Sequence, residues 1–440
     1  PDAYKDNSLK TVNSNPEAFR DASSVRFHSR INWGDNNSTW SLTPYLRKTQ
    51  MDFLMHYLPG QPLEENGQRS LGMMIGHRYM GLKKVEVFSG LDVELSQGYL
   101  QQTQASAAGG FFDSFLPVGK QYDFDVDVAL VSAFSQLKYS IDEANLVSFG
   151  VRLESLVYEY ENNMLSGNTG EDGTLCSSSN GCRYSRPESR SDQFKNVSSQ
   201  IGWIHNFNEA AQSFINVSSA FRAPQATELY RLQNSQSVAD LKSEKINNIE
   251  FGYRASSESI DYTVAAYYME KENVIFQNSD RENVSDGQTR HTGIEISTLV
   301  NISQALTFNL AASYGDHRYT ANIAPRGVSE IIDGNQIDTA PKVSSNAQLA
   351  WQVSPAQNLE LEWIHLGPYY TDEANLQEYS GHDLVNLRYA RQMSYNWNLS
   401  VRITNLLDTN YAERADYGFG NERYFVGEPA SAYLTLGYQL

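Results

Sequence analysis

The stretch Trp397-Asn398-Leu399-Ser400-Val401-Arg402-Ile403-Thr404 decides how the rest of the chain reads. Trp397, Leu399, Val401 and Ile403 fall on one face; Asn398, Ser400, Arg402 and Thr404 fall on the other. A period of two belongs to a β-strand that divides an apolar from a polar environment. The same alternation recurs toward the N-terminus. Leu306, Phe308, Leu310, Ala312 and Tyr314 alternate with Thr307, Asn309, Ala311 and Ser313. Ile260, Tyr262, Val264, Ala266 and Tyr268 alternate with Asp261, Thr263 and Tyr267, and Val85, Val87, Leu91, Val93 and Leu95 with Glu86, Asp92 and Glu94. Val25, Phe27 and Ile31 alternate with Arg26, His28, Arg30 and Asn32. Helical spacing fits none of these runs as well.

Seventeen such segments begin near residues 24, 38, 70, 85, 124, 145, 193, 212, 246, 260, 290, 306, 343, 359, 383, 397 and 431. Their connections alternate in length. Short turns rich in turn formers fall at 34–37, 81–84, 141–144, 206–211, 256–259, 303–305, 354–358 and 394–396. Long polar loops lie at about 54–69, 103–122, 161–192, 223–244, 279–289, 319–341, 367–381 and 408–430. Short turns on one side and long loops on the other mark an all-β, antiparallel up-and-down transmembrane barrel. A soluble sandwich or propeller has no reason to place every long loop at one end.

Composition agrees. The 440 residues exceed the roughly 100–200 of one compact soluble domain. No apolar run approaches the ~18 residues of a membrane helix, but a barrel strand needs only about 9–11, every second one apolar. The 27 Tyr, 19 Phe and 6 Trp suit strands and membrane interfaces. A net charge of −18 excludes nucleic acid, which requires clustered cations over phosphates. Cys176 and Cys182, in Cys-Ser-Ser-Ser-Asn-Gly-Cys, suit a small disulfide loop in an oxidising compartment, with two free thiols as the alternative. Metal spacing of the CxxC type and neighbouring histidines are both missing there.

Strand direction adds an expectation. The strand from Ser24 to Trp33 runs into a short turn, and the one from Ser431 to Leu440 leaves a long loop, so both descend. An even strand number with both ends on the periplasmic side then requires at least one further ascending strand upstream. Residues 1–23 would be the tail of an outer loop. The chain opens on Pro1, as a processed chain or a piece of a longer one would.

Several motifs carry a family resemblance. Ala220-Phe221-Arg222-Ala223-Pro224 is followed by Glu228-Leu229-Tyr230 and by Leu241-Lys242-Ser243-Glu244. Ile249-Glu250-Phe251-Gly252-Tyr253, Thr292-Gly293-Ile294-Glu295, Ile403-Thr404-Asn405-Leu406-Leu407-Asp408 with Tyr411, and Gly427-Glu428-Pro429 come after them. In this order and spacing they resemble the siderophore-receptor-like TonB-dependent receptors of the outer membrane, from about residue 212 onward. Ser243 stands where proline is usual, Ala430 where arginine is usual, and Leu440 where a terminal Phe is usual.

The resemblance implies a barrel of about twenty-two strands around an N-terminal plug. On that template the present strands are the sixth to the last, which agrees with the parity argument. The plug, the TonB box and the first strands would lie outside this sequence. It further implies a monomer in outer-membrane lipid of a Gram-negative bacterium, importing a ferric siderophore or similar metal chelate. Energy would come from TonB–ExbB–ExbD acting through the plug, with no cofactor. The alternatives are a passive porin, a barrel-borne lipase or protease, and uptake of cobalamin, haem, a copper chelate or an oligosaccharide.

The loops offer ligand candidates. Tyr369 and Tyr370 lie in one; Tyr417, Phe419, Arg423 and Tyr424, beside Phe425, lie in another. Aromatic rings with a cationic partner can hold an anionic aromatic chelate by stacking and charge; packing of the loops or an interfacial girdle is the competing role. Arg222 reads as a structural rim residue, and Arg402, Asn398, Arg388 and Asn386 as lumen polarity meeting plug or water. Asp333, Asn335 and Asp338 have faint calcium-loop character but lack the glycine spacing and downstream Glu of such a loop. No G-x-S-x-G or H-E-x-x-H occurs. Glu360 and Glu362 share a face by simple alternation, as wall polarity rather than an acid–base pair.

Overall fold

A computed structural model describes residues 3–439 apart from 7, 10, 11, 14, 322, 326, 327, 329, 330 and 419. Seventeen long strands form, as the alternation predicts. They are β1 (Arg20–His28, resumed at Ile31–Gly34), β2 (Ser38–Leu54), β3 (Leu63–Leu82), β4 (Val85–Gln104), β5 (Gly119–Ser140) and β6 (Asn145–Asn162). Then come β7 (Arg190–Asn208), β8 (Ala211–Arg222), β9 (Glu244–Ser256), β10 (Ile260–Gln277), β11 (Asn283–Ser303) and β12 (Leu306–Tyr319). The last five are β13 (Val343–Ser354), β14 (Gln357–Leu366), β15 (His382–Gln392), β16 (Trp397–Thr404) and β17 (Ser431–Tyr438). Each pairs antiparallel with its sequence neighbour in one continuous sheet; among the described residues no ladder joins β1 to β17. The loops carry a short helix, α1 (Ala226–Tyr230), and three small strand pairs.

Register turns alternation into two walls. On the outer face Leu71 opposes Leu95, Leu399 opposes Leu436 and Val401 opposes Leu434. These side chains stand in the open, Leu71 at 56% and Leu434 at 72% of full exposure. A belt of exposed Leu, Ile, Val and Phe running from strand to strand exceeds anything a water-soluble surface tolerates, and lipid is its solvent. Five of the six tryptophans, Trp33, Trp40, Trp203, Trp351 and Trp397, lie on this face near the short turns; Trp33 stacks on Trp40, and Trp397 meets Tyr438. Such a girdle marks the lower membrane interface.

The inner face is polar and internally paired. Arg152 reaches Asp92 at 2.7 Å, and Arg47 pairs with Glu94. Glu362 is buried; it takes hydrogen bonds from Asn346 and Asn386 at 2.9 Å and Gln348 at 3.2 Å, and faces Arg388 at 3.0 Å. Arg388 also pairs with Glu360, so both carboxylates belong to an ion-paired wall. Arg402 lies over the Tyr433 ring. Gly72 faces this interior because Tyr45 lies across it: a Cβ there would sit 2.1 Å from the ring.

The short turns are closed by side chains. Asp35 accepts from the Asn37 and Ser38 amides at 2.8 and 2.9 Å, and Gly34 takes φ 123° in the same turn.

Two expectations about the loops need correction. Strands expected to start near 70, 124 and 290 begin at Leu63, Gly119 and Asn283, so the loops shrink. Above the lipid both faces are wet and the apolar period vanishes, yet backbone groups still need partners and the ladder continues. The resulting wall is uneven: β3 and β4 have 20 residues and β5 has 22, whereas β16 and β17 have eight. Nor are the loops uniformly polar, as the mouth shows.

Candidate functional site

The main apolar cluster of the described residues lies against the inner wall at the long-loop end. Tyr122 and Phe124 on β5 and Tyr158 and Tyr160 on β6 point inward, and Leu229, Tyr230, Leu232 and Leu241 of the 223–243 loop fold onto them. Tyr230 stacks on Tyr160 with centroids 4.2 Å apart and donates to Asp192 at 2.8 Å. The Tyr122 hydroxyl, fully buried, donates to the Leu232 carbonyl, and that of Tyr158 to the Pro224 carbonyl at 3.0 Å. These three ring hydroxyls each enter the core with a partner, as buried polar groups must.

Three arginines fix the loops. Arg222, at the end of β8, holds Glu228 of α1 by two bonds of 3.0 Å and Glu244 of β9 by one of 2.7 Å. Glu228 closes a capping box by also accepting from the Gln225 amide at 2.7 Å. That is the structural rim role expected of Arg222. Arg231 pairs with Glu64 on β3 at 2.9 Å and bonds Gln102, against the face of Tyr122. Arg186, nearly fully buried, donates to the carbonyls of Leu165 at 2.7 Å and Thr169 at 3.0 Å. Burial pushes its pKa below the ordinary guanidinium value. Cys176 and Cys182 are joined as a disulfide in the same loop.

The candidate ligand residues occupy the opposite side of the mouth. Tyr369 and Tyr424 belong to one aromatic cluster with Tyr4 and Tyr379. Tyr369 is buried, and its hydroxyl is bonded to the Ala415 amide at 2.9 Å and carbonyl at 3.2 Å. Burial pushes the Tyr379 hydroxyl up to about 12. Tyr424 donates to Glu422 at 2.6 Å and packs on Tyr4. Tyr370 is half-buried, and its carbonyl accepts from the Thr339 amide. Tyr417 and Arg423 sit on the hairpin Ala412–Gly418/Asn421–Val426; Tyr417 is exposed and Arg423 bonds Asp416 at 2.6 Å. Phe419 lies outside the described residues. Asn335 and Asp338 tie loops together, through the Glu373 carbonyl at 3.0 Å and the Tyr319 hydroxyl at 2.6 Å.

Sequence reasoning missed Tyr122, Tyr160, Arg186 and Arg231, and the packing role of Tyr230. A signal was present: Phe124, Val126, Leu156, Tyr158 and Tyr160 put apolar bulk on the inward parity, where the lower strands place polar groups. Inward apolar residues near a long loop require something dry to meet them.

A family model described as TonB dependent receptor-like, beta-barrel, matches residues 2–406. The catecholate siderophore receptor Fiu of Escherichia coli (strain UTI89 / UPEC) is 23% identical over 341 residues, covering 72% of this chain and 42% of the relative. The vitamin B12 transporter BtuB of Photobacterium profundum is 22% identical over 229 residues, covering 52% of this chain and 36% of the relative. The crystal structure of the siderophore receptor PiuA from Acinetobacter baumannii superposes with a TM-score of 0.75 at 14% identity, covering 96% of this chain and 65% of that one. The chain thus spans less than half the length of these two curated relatives.

Proposed function

The chain belongs to the TonB-dependent receptor β-barrel family of the Gram-negative outer membrane, and from that premise we propose that it forms part of the wall of an active-transport receptor for a ferric siderophore or similar metal chelate. In this reading a plug domain outside these residues couples the barrel to TonB–ExbB–ExbD. The loop-covered, aromatic mouth carries the reading. A passive pore keeps an aqueous lumen, whereas here the 223–243 loop is folded onto the inner wall and pinned by Arg222 and Arg231. Tyr369, Tyr370, Tyr417, Phe419, Arg423 and Tyr424 are the proposed ligand contacts. Tyr417 offers the exposed ring, with the Arg423 cation on the same hairpin. Tyr417 faces the side of the hairpin opposite Arg423, which is held by Asp416, so in this reading the exposed ring rather than a ring–cation pair would meet an aromatic chelate.

The test is growth of an iron-starved receptor-deletion strain complemented with this receptor, on defined ferric chelates, with and without TonB. Uptake that persists when TonB is deleted would end the transporter reading and favour a porin. TonB-dependent uptake of cobalamin but of no ferric chelate would retain the mechanism and replace the substrate.

A further inference from the structure

On the inner wall at β10–β12, a row of side chains unused by the mouth is aligned across three strands. Met269 opposes His291, and His291 opposes His317, in register. The two imidazole Nδ1 atoms are 3.0 Å apart. The other nitrogen of His291, Nε2, lies 2.9 Å from the hydroxyl of Thr289, itself buried. Gly293 and Gly315 oppose each other beside these rings. A Cβ on Gly315 would come within 2.5 Å of His317 Nε2, and one on Gly293 within 2.5 Å of the Tyr267 hydroxyl. Glycine at both positions leaves the rings their room. Asn248, opposite Met269 on β9, has a buried side-chain oxygen with no hydrogen-bond partner, so the row ends on an unsatisfied acceptor.

We propose that His291 and His317 form a bidentate site for a borderline divalent transition-metal ion, Cu²⁺ foremost, with Met269 as a softer donor for the cuprous state. Imidazole nitrogens bind such ions at about 2.0–2.1 Å, so a 3.0 Å separation subtends ~94° at the ion. That angle fits adjacent corners of a tetragonal centre better than a tetrahedron, and Cu²⁺ heads the affinity order for such ligands. Hard ferric iron prefers anionic oxygen donors, whereas the oxygens along this row, on Asn248, Thr289 and Tyr267, are neutral. Among the described residues no group of three His, Cys, Asp or Glu is placed to hold a metal. The protein therefore gives two imidazoles and a thioether, leaving further positions to water or to a chelate's own donors.

The Thr289 hydroxyl can donate to His291 Nε2 or accept from it, so two proton arrangements are open to the pair. When the hydroxyl accepts from Nε2–H of His291, Nδ1 of that ring is an unprotonated acceptor, and Nδ1–H of His317 donates to it. On metal entry in that arrangement the His317 proton moves to its own Nε2. Both Nδ1 lone pairs then face the ion, and no net proton is released.

The site is tested on tag-free receptor in detergent micelles, by titrating Cu²⁺ against a chromophoric competitor and recording the electron paramagnetic resonance spectrum. One copper with hyperfine coupling from two imidazole nitrogens is expected. H291Q and H317Q should each lose more affinity than the roughly 10–100-fold that removal of a supporting hydrogen bond costs, and T289V should lose an amount within that range. M269L should weaken Cu⁺ binding while leaving Cu²⁺ binding nearly unchanged. Glutamine keeps a hydrogen-bonding side chain, and heat-modifiable electrophoretic mobility reports whether each variant is folded. Full copper affinity in a folded H291Q/H317Q double variant, or a spectrum without imidazole coupling, overturns the proposal. Neither readout involves transport, so this inference and the uptake reading can fail separately.

Discussion

Removing the Arg222 guanidinium should release the 223–243 loop from the wall while leaving the barrel intact. In Arg222→Met the hydrocarbon stem is kept, but Glu228 and Glu244 face one another without their cation. Removing one partner of a fully buried pair costs about 3–5 kcal/mol, whereas an exposed pair is worth roughly 0.2–1 kcal/mol. Arg222 retains 40% of its side-chain exposure, Glu228 25% and Glu244 10%, which places the loss at about 2 kcal/mol, between those limits. Since about 1.36 kcal/mol is a factor of ten, the loop's opening equilibrium should rise about 30-fold. Hydrogen–deuterium exchange in micelles reads this directly. Amides of 226–233 should exchange faster by that factor, while β5 and β6 amides stay protected. A second substitution, Glu228→Gln, should recover part of the loss by removing one stranded charge. Unchanged exchange in Arg222→Met would mean that the stacked Tyr160–Tyr230 pair and its neighbours hold the loop unaided, and the ionic argument would fall.

Two further outcomes follow from the walls and loops. Leu434→Arg, on the lipid face and four residues above the Trp397–Tyr438 girdle, should cost about 2–4 kcal/mol, whereas Thr435→Arg, facing the lumen next to it, should be tolerated; measured by folding into lipid vesicles, equal effects would refute the assignment of faces. Glu373 has its pKa raised, first by burial and then by Asp338 and Asp372. A carboxyl raised on folding gives its full stabilisation below its ordinary value near 4.5 and loses it as pH climbs through the folded value. Proteolysis within 367–381 should therefore be slower at pH 5 than at pH 8, and Glu373→Gln should flatten that difference; a variant with an unaltered pH profile would show another group at work.

What the sequence made legible was whatever lipid imposes. Lipid requires an apolar side chain at every second position, so Trp397–Thr404 and its counterparts could be read individually, and the ladder then followed from the turns. Above the membrane that constraint lapses, and the extensions of β3, β5 and β11 left no periodic trace. The apolar inward parity of β5 and β6 announced that something dry covers them, but not that the 223–243 loop does. Leu229 and Tyr230 look like ordinary loop residues, and the rings that receive them, Tyr158 and Tyr160, lie about seventy positions earlier. Arg222 could be assigned a rim role from its place at a strand end beside Pro224, but its partners Glu228 and Glu244 could not be named. The His291–His317 pair could not be found this way, since it depends on the register between two strands rather than on any local motif.

The unequal strand lengths shape how a large solute reaches the lumen. At ~3.4 Å per residue and a tilt near 40°, the 20 residues of β4 climb roughly 50 Å. The eight of β17 climb only about 20 Å, close to the ~25 Å height of the lipid-facing band. One flank is thus a palisade standing well clear of the membrane, and the other ends almost at the headgroups. There the remaining height comes from the segments around Tyr369–Tyr379 and Ala412–Val426. Cargo approaching from outside meets a sill on that flank, and small shifts of two hairpins would change its clearance far more than any strain in the tall flank.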